Sequence, residues 1–552
     1  MANENNTLSS NRDSNRRRNT LLNRAIVKKI SAMLSLMLIV AIMVPVLAFA
    51  ATGFSNLTYS RNGNVSGSVY HDTYNQGETV KLHFFAPDKQ HISSVDAVYS
   101  TTYDAAKGTF YNFSANLSSA YNHVTVQSVV YDASGEVVES VYQDVYRDSR
   151  RGGGGGGGGG GWLGGSVDGS TINVGADGSV NAFTLTNLLA NGDVTLKLSG
   201  EFVNIPASAL VDAASRTITV TNDNGSYVLP VSLFDLNALA TALDVEVDDM
   251  NIKVSIADVS SETADDVKAA ISAVGGTQVA EAVDFNVVAT AANGETAAVD
   301  FGKTYVSRSL NASKSVDSKT TTGVLYDATT KKVTFVPSTF STTDDATVAT
   351  LKRNGNSVYT VVESNKSFAD VASHWSQADV ELLANKLVVE GSSDTTFEPE
   401  RNINRAEFAA LVVRSLGLTP VTSATTDFKD VSSSAWYAST VATATYAGII
   451  DGYEDNTFRP DAQITREELA AMVIRAMNYA DIATNVANPQ SVLSKFTDAN
   501  KIVWAEKEIA AAVNAGIIEG MTDTTIGSAE KATRAQSTTM LKRFLGLANF
   551  IN

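Results

Sequence analysis

The sequence predicts a multidomain protein in which β-rich modules are followed by an all-α C-terminal region. Three observations support this prediction. Short runs of alternating apolar and polar residues are frequent after residue 53, ten consecutive glycines occupy positions 152–161, and a unit that begins at Phe368 occurs three times. A chain of 552 residues is too long for one compact core, and its hydrophobic content of 44% is typical of folded domains.

Residues 1–50 are predicted to be a signal peptide. A basic segment precedes an apolar run from Ile30 to Ala50, which ends in the small-x-small sequence Ala48-Phe49-Ala50. A membrane-spanning helix is the alternative, since about 20 apolar residues suffice to cross a bilayer. These residues hold seven of the 42 basic and two of the 59 acidic residues, so the remainder carries a net charge of −22. That charge disfavours nucleic acid and, after cleavage, anionic membrane as partners.

Residues 53–150 are predicted to form a β-sandwich of Ig-like size. Ten of the 18 tyrosines lie in this module, and the alternating run from Val124 to Tyr131 leads into a turn at 132–135. A second β-rich run follows the turn, which is the pattern of a β-hairpin. Glycines dominate residues 151–165, and we expect this segment to be a flexible linker between modules.

Residues 166–362 are predicted to form a β-rich α+β region, and the sequence leaves open whether it holds one domain or two. Two helices are expected, near Leu233–Leu243 and near Thr263–Val274, the second with a capping box between Thr263 and Asp266. The clearest strand patterns are Thr217–Val220, Phe285–Val288 and Lys332–Val336.

Three copies of one unit occupy the C-terminal region, with predicted boundaries at 366–420, 427–482 and 494–549. In every copy a tryptophan, a glycine and an aspartate lie 30, 14 and 11 residues before the same arginine. Chance does not produce such spacing, so each copy is one structural unit. The four positions hold Trp375, Gly391, Asp394 and Arg405 in the first copy, Trp436, Gly452, Asp455 and Arg466 in the second, and Trp504, Gly520, Asp523 and Arg534 in the third.

Each unit is predicted to be a helix-loop-helix. We expect the glycine to end the first helix in the left-handed conformation. The second helix carries an apolar stripe that includes Phe408 and Val412, and it begins with a capping box. The capping pairs are Asn404 with Glu407, Thr465 with Glu468, and Thr533 with Gln536.

These repeats resemble the S-layer homology domain. The resemblance rests on Phe-x-Asp-Val at the start, Gly-Ile-Ile-x-Gly after the first helix, Asp-x-Thr-Phe-x-Pro in the loop and Thr-Arg-Ala-Glu at the second helix. It implies a pseudo-threefold bundle that binds secondary cell-wall polysaccharide, often through a pyruvylated sugar, in grooves between repeats. It also implies secretion to the cell wall or S-layer. The preceding region resembles the β-rich modules of Paenibacillus-like surface proteins.

The arginine at the first helical position is a candidate ligand-binding residue. A cation is mildly unfavourable at the positive end of the helix dipole, so its presence in all three copies suggests a role other than helix stability. Helix amides and a guanidinium fork together suit a carboxylate such as that of a pyruvyl ketal. The alternative is an ion pair with the aspartate of the same repeat. The tryptophan is interpreted as core or groove wall, with a sugar platform as the alternative. The candidate ligand-binding residues are Arg405, Arg466, Arg534, Trp375, Trp436, Trp504, Asp394, Asp455, Gly391 and Gly452.

The third copy departs most from the shared pattern. It has Ile526 where the others have phenylalanine, lacks the loop proline, and has Gln536 in place of glutamate. We therefore expect Arg534 to contribute least to binding. For Arg466→Ala we expect weaker binding with little change in thermal stability.

No catalytic constellation is evident, so the sequence predicts a non-enzymatic envelope protein without cofactor or metal. There is no cysteine, and neither a Gly-x-Ser-x-Gly elbow nor a Walker loop occurs. The five histidines are interpreted as scattered surface residues. Self-association in a surface lattice and a role as an adhesin stay open. The alternative is a surface-anchored hydrolase that acts on polysaccharide or protein through residues 53–362.

Overall fold

The computed structural model describes residues 53–60, 63–71, 78–87, 89–104, 108–117, 121, 123–146, 167–168, 170–343, 346–420 and 426–552. The predicted signal peptide and glycine linker lie outside these residues. Within the ranges just given, every helix is too short or too polar to span a lipid bilayer.

The described residues form mainly strands, with three α-helices, up to about residue 364, and mainly helices thereafter. The strands are β1 Gly53–Tyr59, β2 Asn64–His71, β3 Thr79–Phe85, β4 His91–Asp96, β5 Val98–Asp104, β6 Gly108–Asn116, β7 His123–Tyr131, β8 Val137–Tyr146, β9 Val167–Asp168, β10 Thr171–Val174, β11 Val194–Leu198, β12 Phe202–Pro206, β13 Thr217–Asn222, β14 Gly225–Pro230, β15 Met250–Asp258, β16 Gly276–Gln278, β17 Val283–Ala291, β18 Thr296–Ala298, β19 Val306–Asn311, β20 Thr321–Asp327, β21 Lys332–Val336, β22 Ser338–Thr343, β23 Ala346–Arg353 and β24 Ser357–Ser364. The α-helices are α1 Ala182–Asn191, α2 Leu236–Leu243, α3 Ser261–Ala273, α4 Gln377–Asn385, α5 Arg405–Ser415, α6 Ala438–Tyr446, α7 Arg466–Tyr479, α8 Pro489–Leu493, α9 Glu506–Asn514 and α10 Arg534–Leu547.

The chain divides into two compact units, and the first comprises strands β1 to β8 apart from residues 139–143. Its two sheets have the strand orders β1-β2-β6-β5 and β8-β7-β3-β4. The rings of Phe84 and Phe113 approach to 6.2 Å between centroids and join the two sheets in one core. The predicted hairpin between β7 and β8 is confirmed by a turn in which the Asp132 carboxylate accepts from the Ser134 amide at 2.8 Å. The Ig-like topology stays a prediction.

The β region of the second unit, strands β9 to β24, encloses one hydrophobic core between two sheets. Their orders are β22-β23-β19-β14-β13-β11-β10-β9 and β12-β15-β17-β24-β20-β21. Strand β11 runs parallel to β10 and β13, whereas β15, β17 and β24 pair antiparallel. Tyr227 of the first sheet packs edge-on against Phe285 of the second at 5.5 Å. These alternating strands bury one face each, as their period-two patterns predict.

The helices of the β region differ from expectation in two respects. Helix α1 was not predicted, although Asn181 caps it through the Thr184 amide. The predicted capping box between Thr263 and Asp266 is wrong, because helix α3 begins two residues earlier and Ser260 is its N-cap. The Asp266 carboxylate pairs with a lysine of the β20–β21 turn instead.

Each C-terminal repeat contributes two main helices to one shared core. The pairs are α4 with α5, α6 with α7, and α9 with α10, and short helix α8 precedes the third pair. The predicted apolar stripe is confirmed, since Phe408 and Val412 of α5 are completely buried together with residues of all three repeats. One helix pair cannot bury such a stripe alone, so the repeats fold as a group.

Candidate functional site

The second helix of each repeat begins at the arginine identified by sequence, and all three predicted capping boxes are confirmed. In the second repeat Thr465 accepts from the Glu468 amide, while the Glu468 carboxylate accepts from the Thr465 amide. Asn404 with Glu407, and Thr533 with Gln536, form the same reciprocal bonds. These residues therefore fix the helix start and, with it, the position of the arginine.

The three arginines reach across to a neighbouring repeat. Arg405 Nε donates to the Phe458 carbonyl of repeat 2 at 2.8 Å. The corresponding bonds run from repeat 2 to repeat 3 and from repeat 3 back to repeat 1, so the contacts form a closed cycle. They are Arg466 Nε to the Ile526 carbonyl at 3.1 Å and Arg534 Nε to the Phe397 carbonyl at 2.9 Å.

The backbone amides at the helix starts donate hydrogen bonds to carbonyls of the same neighbouring loops. The Arg466 amide donates to the Glu530 carbonyl at 2.9 Å, and the Glu467 amide donates to the Ser528 carbonyl at 3.0 Å. Repeats 1 and 3 make the equivalent contacts. These amides are therefore not available to a ligand, and the expected carboxylate cradle of helix amides is wrong. Only side chains remain to bind an anion there.

The alternative of an ion pair within one repeat is also wrong for these arginines. Asp455 pairs with Arg459, four residues along its own loop, at 3.2 Å. A different aspartate fixes each loop: the Asp430 carboxylate accepts from the amides of Phe458 and Arg459 at 2.8 and 2.7 Å. Asp370 and Asp498 do the same in repeats 1 and 3.

Sequence reasoning missed this role, although the third residue of each Phe-x-Asp start carried the signal. Burial opposes ionisation of Asp370, yet the amides of Phe397 and Glu398 outweigh it and lower the pKa of the carboxyl. The ionised carboxylate is thus the form that holds the loop.

Three grooves result, and each combines residues of all three repeats. The Arg405 groove holds an arginine of repeat 1, the turn of repeat 2 and a tryptophan of repeat 3, and the other two follow the same cycle. Their volumes are about 610, 250 and 190 Å³ for the Arg405, Arg466 and Arg534 grooves. The defining residues are Arg405, Gly452, Arg475 and Trp504; Arg466, Gly520, Arg543 and Trp375; and Arg534, Gly391, Arg414 and Trp436.

The tryptophans are exposed rather than buried. Trp375, Trp436 and Trp504 are 61%, 64% and 53% exposed, so the core interpretation is wrong and the groove-wall interpretation fits. A half-exposed indole offers an apolar face together with one N–H donor.

A second arginine lines each groove, nine residues after the helix-start arginine of its own repeat: Arg475 in the Arg405 groove, Arg543 in the Arg466 groove and Arg414 in the Arg534 groove. Arg475 lies 2.7 Å from Asp451, the residue before the turn glycine, and Arg543 and Arg414 pair with Glu519 and Glu390 at 3.0 and 3.3 Å. Asp394 and Asp523, in contrast, line none of the three grooves.

The turn glycines have a different physical reason from the predicted one. The left-handed residues after the first helices are Leu387, Gly448 and Gly516, with φ of 58°, 72° and 69°. At Gly452 a Cβ would lie 2.1 Å from the ring of Phe428, and at Gly391 a Cβ would lie 2.2 Å from the Ser393 carbonyl oxygen. Close approach of the chain therefore requires glycine there.

The Arg405 groove contains an internal carboxylate. Arg405 is 4% exposed, and its Nη1 lies 3.0 Å from Glu468 Oε1, which also accepts from the Tyr453 hydroxyl. Burial opposes ionisation of Glu468, but the Thr465 amide, the Tyr453 hydroxyl and the charge of Arg405 lower the pKa of its carboxyl. The guanidinium in this groove is thus already neutralised.

The Arg466 groove lacks that carboxylate because Gln536 replaces it. Arg466 Nε and Nη2 donate to the carbonyls of Ile526 and Glu519. Among the described residues, Nη1 has no hydrogen-bond acceptor. Burial lowers the pKa of this guanidinium, which nevertheless stays charged at neutral pH.

The departures of repeat 3 also lie in the Arg466 groove. Ile526 contacts Arg466, whereas Arg534 lies over the Phe397 ring of repeat 1 at 4.4 Å. The reason for expecting Arg534 to contribute least therefore does not hold.

Residues 367–409, 427–470 and 495–536 match the family described as S-layer homology domain. The chain carries three S-layer homology (SLH) domains at its C-terminus. This finding confirms the resemblance drawn from the repeats, and it indicates a location at the cell surface or cell wall.

Relatives fall into two groups. An amylopullulanase of Thermoanaerobacterium thermosulfurigenes is 28% identical over 362 residues, which is 65% of this chain and 17% of that protein. An exoglucanase XynX of Acetivibrio thermocellus is 31% identical over 190 residues, or 34% of this chain and 17% of that protein. An S-layer protein of Bacillus licheniformis is 30% identical over 161 residues, covering 29% of this chain and 18% of that protein. The chain spans less than a fifth of the length of these relatives.

The expectation of a non-enzymatic protein is contradicted by these relatives. Two of the three just named are glycoside hydrolases by name. The amylopullulanase alignment, at 65% of the chain, is also too long to be confined to the SLH domains and takes in most of the β region. The absence of a familiar catalytic motif was therefore not a sound reason to exclude catalysis.

Proposed function

We propose that the three SLH domains anchor this protein to the cell wall by binding an acidic secondary cell-wall polysaccharide in the grooves between domains. One observation carries the proposal. Each groove joins an arginine, buried for Arg405 and Arg466 and half-buried for Arg534, the carbonyl-rich turn of the next domain and an exposed tryptophan of the third. A guanidinium binds a carboxylate, and an indole packs on the apolar face of a sugar ring.

The cyclic arginine contacts support a pseudo-threefold arrangement of the SLH domains, as the resemblance implies. The three grooves are nevertheless chemically unequal. The Arg466 groove holds two arginines, one acidic residue, Glu519, and a neutral glutamine, so its charge is positive and it is the groove that best suits the carboxylate of a pyruvylated sugar. The Arg405 groove is larger, but its four acidic residues, Asp451, Glu454, Asp455 and Glu468, outnumber its three arginines.

A sedimentation experiment tests wall binding. The chain from residue 53 onward should pellet with peptidoglycan sacculi that retain their secondary polymer. It should stay in solution with sacculi stripped by hydrofluoric acid. Equal binding to both preparations would exclude the polymer as the ligand, whereas binding to neither would exclude wall anchoring.

A second candidate function is polysaccharide hydrolysis by the part of the chain before the SLH domains. The glycoside hydrolases among the relatives favour it, and the length of the amylopullulanase match includes the β region. A groove of about 580 Å³ crosses the outer face of β12, β15 and β17 and is lined by Asn204, Ser255 and Asn286. Amide and hydroxyl groups of this kind bind sugar hydroxyls.

Hydrolysis of a glycosidic bond uses two carboxyl groups. Glu201, which lines the groove, is the second carboxylate, and Asp284 is the carboxyl that we assign as the general acid. It lies on β17 two residues before Asn286, and therefore on the same face of the sheet. Burial raises the pKa of its carboxyl, as a general acid requires. The chain should release reducing ends from pullulan or xylan, and Asp284→Asn should abolish the release. If neither polysaccharide is cleaved, the hydrolase proposal fails and wall anchoring is unaffected.

A further inference from the structure

The first SLH domain differs from the other two at the end of its first helix. It has Lys386 and Leu387 where the second domain has Ala447 and Gly448, and the third has Ala515 and Gly516. Leu387 has a φ of 58°, a left-handed conformation that glycine adopts freely and leucine does not. A strained leucine in one copy alone calls for a compensating contact.

Leu387 finds that contact in the β region. Its side chain is 8% exposed and belongs to an apolar cluster with Val267 and Ile271 of helix α3 and Val324 and Val362 of the sheet below. The equivalent glycines have no side chain to offer, so only the first domain can make this contact.

Lys386 makes a second contact that the other domains lack. Its side chain is completely buried, and Nζ donates to the carbonyls of Ser318 and Thr321 in the β region at 2.7 and 3.0 Å. The alanines of the other domains are too short to reach a neighbouring module.

The contact surface extends over the C-terminal ends of the second helices. The Tyr305 hydroxyl donates to the Leu416 carbonyl at 2.7 Å, and the Tyr305 ring lies 5.0 Å from the Phe550 ring. The Asn354 amide donates to the Tyr479 hydroxyl at 3.1 Å. All three SLH domains therefore touch the β region at this end.

The last residues of the chain complete the surface. The Ser338 amide donates to the Phe550 carbonyl at 2.8 Å, and the Asn552 side chain bonds both the amide and the carbonyl of Phe340. Strand β22 is the outer strand of its sheet, and these residues cover its open edge.

We infer that the first SLH domain is specialised as a docking domain for the β region, and that Lys386 and Leu387 are its docking residues. The docked surface combines the end of helix α4 with the C-terminal ends of helices α5, α7 and α10, whereas Arg405, Arg466 and Arg534 lie at the N-terminal ends of α5, α7 and α10. The three SLH domains are therefore not interchangeable.

Limited proteolysis of the full chain tests this inference. Lys366 lies in the connection between β24 and the first SLH domain and offers a trypsin site. The double variant Lys386→Ala/Leu387→Gly gives the first domain the residues of the second. We expect cleavage at Lys366 to accelerate at least tenfold, and scanning calorimetry to separate the β region and the SLH domains into two transitions.

Two further variants keep the test decisive. Tyr305→Phe removes one hydroxyl at the other side of the contact and should accelerate cleavage to a smaller extent. Tyr446→Ala is the control, because this side chain is 94% exposed at the corresponding helix end of the second domain. Unchanged cleavage and one shared transition of the β region and the SLH domains in the double variant, with the helical circular dichroism signal retained, would overturn the docking role. Acceleration in all three variants alike would overturn it as well.

Discussion

Arg405 and Glu468 lie 3.0 Å apart although they belong to different SLH domains. Each is in the first turn of the second helix of its domain. The same carboxylate accepts from the Tyr453 hydroxyl and caps its own helix at Thr465. One glutamate thus serves the helix start, the groove wall and the domain contact, and it neutralises the cation that a polysaccharide carboxylate would need.

Glu468→Gln should strengthen binding of the acidic polymer. The substitution keeps a capping side chain, as Gln536 demonstrates in the third domain, but it releases Arg405 from its internal carboxylate. Removing one competing charge from a partly buried site is worth about 1 kcal/mol or more, which corresponds to several-fold in affinity. Isothermal titration with purified polymer provides the measurement. A lower affinity would mean that Glu468 itself contributes to binding. Asp461→Asn, at an exposed position of the same loop, removes the same charge and controls for net charge.

Arg466→Ala should lower stability as well as affinity. The guanidinium is 5% exposed and satisfies two carbonyls of the third domain, so alanine leaves both without their donor. An unsatisfied buried acceptor costs about 1–3 kcal/mol. The expectation of nearly unchanged thermal stability, reasonable for an exposed arginine, is therefore replaced by a measurable loss in chemical denaturation.

The lysine variant at the same position separates the two roles. Arg466→Lys retains the positive charge but cannot reproduce the planar fork, so stability should recover less than affinity for a simple anion. If Arg466→Ala and Arg466→Lys both fold with native stability, the carbonyl contacts contribute nothing measurable.

Glu467→Ala should disorder the groove wall that Trp504 forms. The buried Glu467 carboxylate accepts from the amides of Val503, Trp504 and Ala505 at 3.1, 2.7 and 2.8 Å. The other domains have alanine at this position, so the contact is particular to the second. We expect a loss of about 1–3 kcal/mol in the free energy of unfolding and a red-shifted tryptophan emission. Lys507→Ala, exposed in the following helix turn, should change neither quantity.

Lys386 should make the free energy of unfolding of the docked protein depend on pH in the alkaline range. Burial lowers the pKa of its ammonium to about 8, against the partly compensating charge of Asp317. Between pH 8 and the ordinary lysine pKa near 10.5, the unfolded chain binds more protons than the folded one. Stability therefore rises with pH in this window, by an amount on the order of 3 kcal/mol.

The comparison with Lys386→Met isolates this effect. The difference in the free energy of unfolding between wild type and variant should be constant below pH 8 and should shift in favour of wild type above it. A difference that does not change with pH up to 10.5 would show that the ammonium is solvated in the folded state.

The sequence was informative where interactions are local. The three capping boxes of the SLH domains join residues three positions apart and were identified by that spacing, although the same spacing wrongly predicted a fourth box at Thr263 and Asp266. The hairpin turn after Tyr131 and the strands that contain Thr217 and Phe285 follow equally from period-two patterns and turn residues.

The partners of the groove arginines could not be found in this way. Arg534 contacts Phe397, which is 137 positions away, and no repeat spacing states whether a side chain folds back on its own unit or crosses to the next. The left-handed conformation expected at the turn glycines was wrong for a related reason. In the sequence, a glycine required because neighbouring atoms approach its Cα closely looks the same as a glycine required by a left-handed φ. In the sequence, Lys386 differs from the other repeats only in replacing an alanine. Its burial depends on contacts with the β region, which a comparison of the repeats does not reveal.

The covered edge of strand β22 has a consequence for a protein located at a cell surface. An outer strand presents unpaired amides and carbonyls, which invite strand addition from an adjacent molecule. At that edge, Phe550 and Asn552 form hydrogen bonds with the backbone groups of Ser338 and Phe340. The C-terminal residues therefore protect the β region from edge-to-edge aggregation. A variant without these residues would expose the strand edge, where fibrous association can begin.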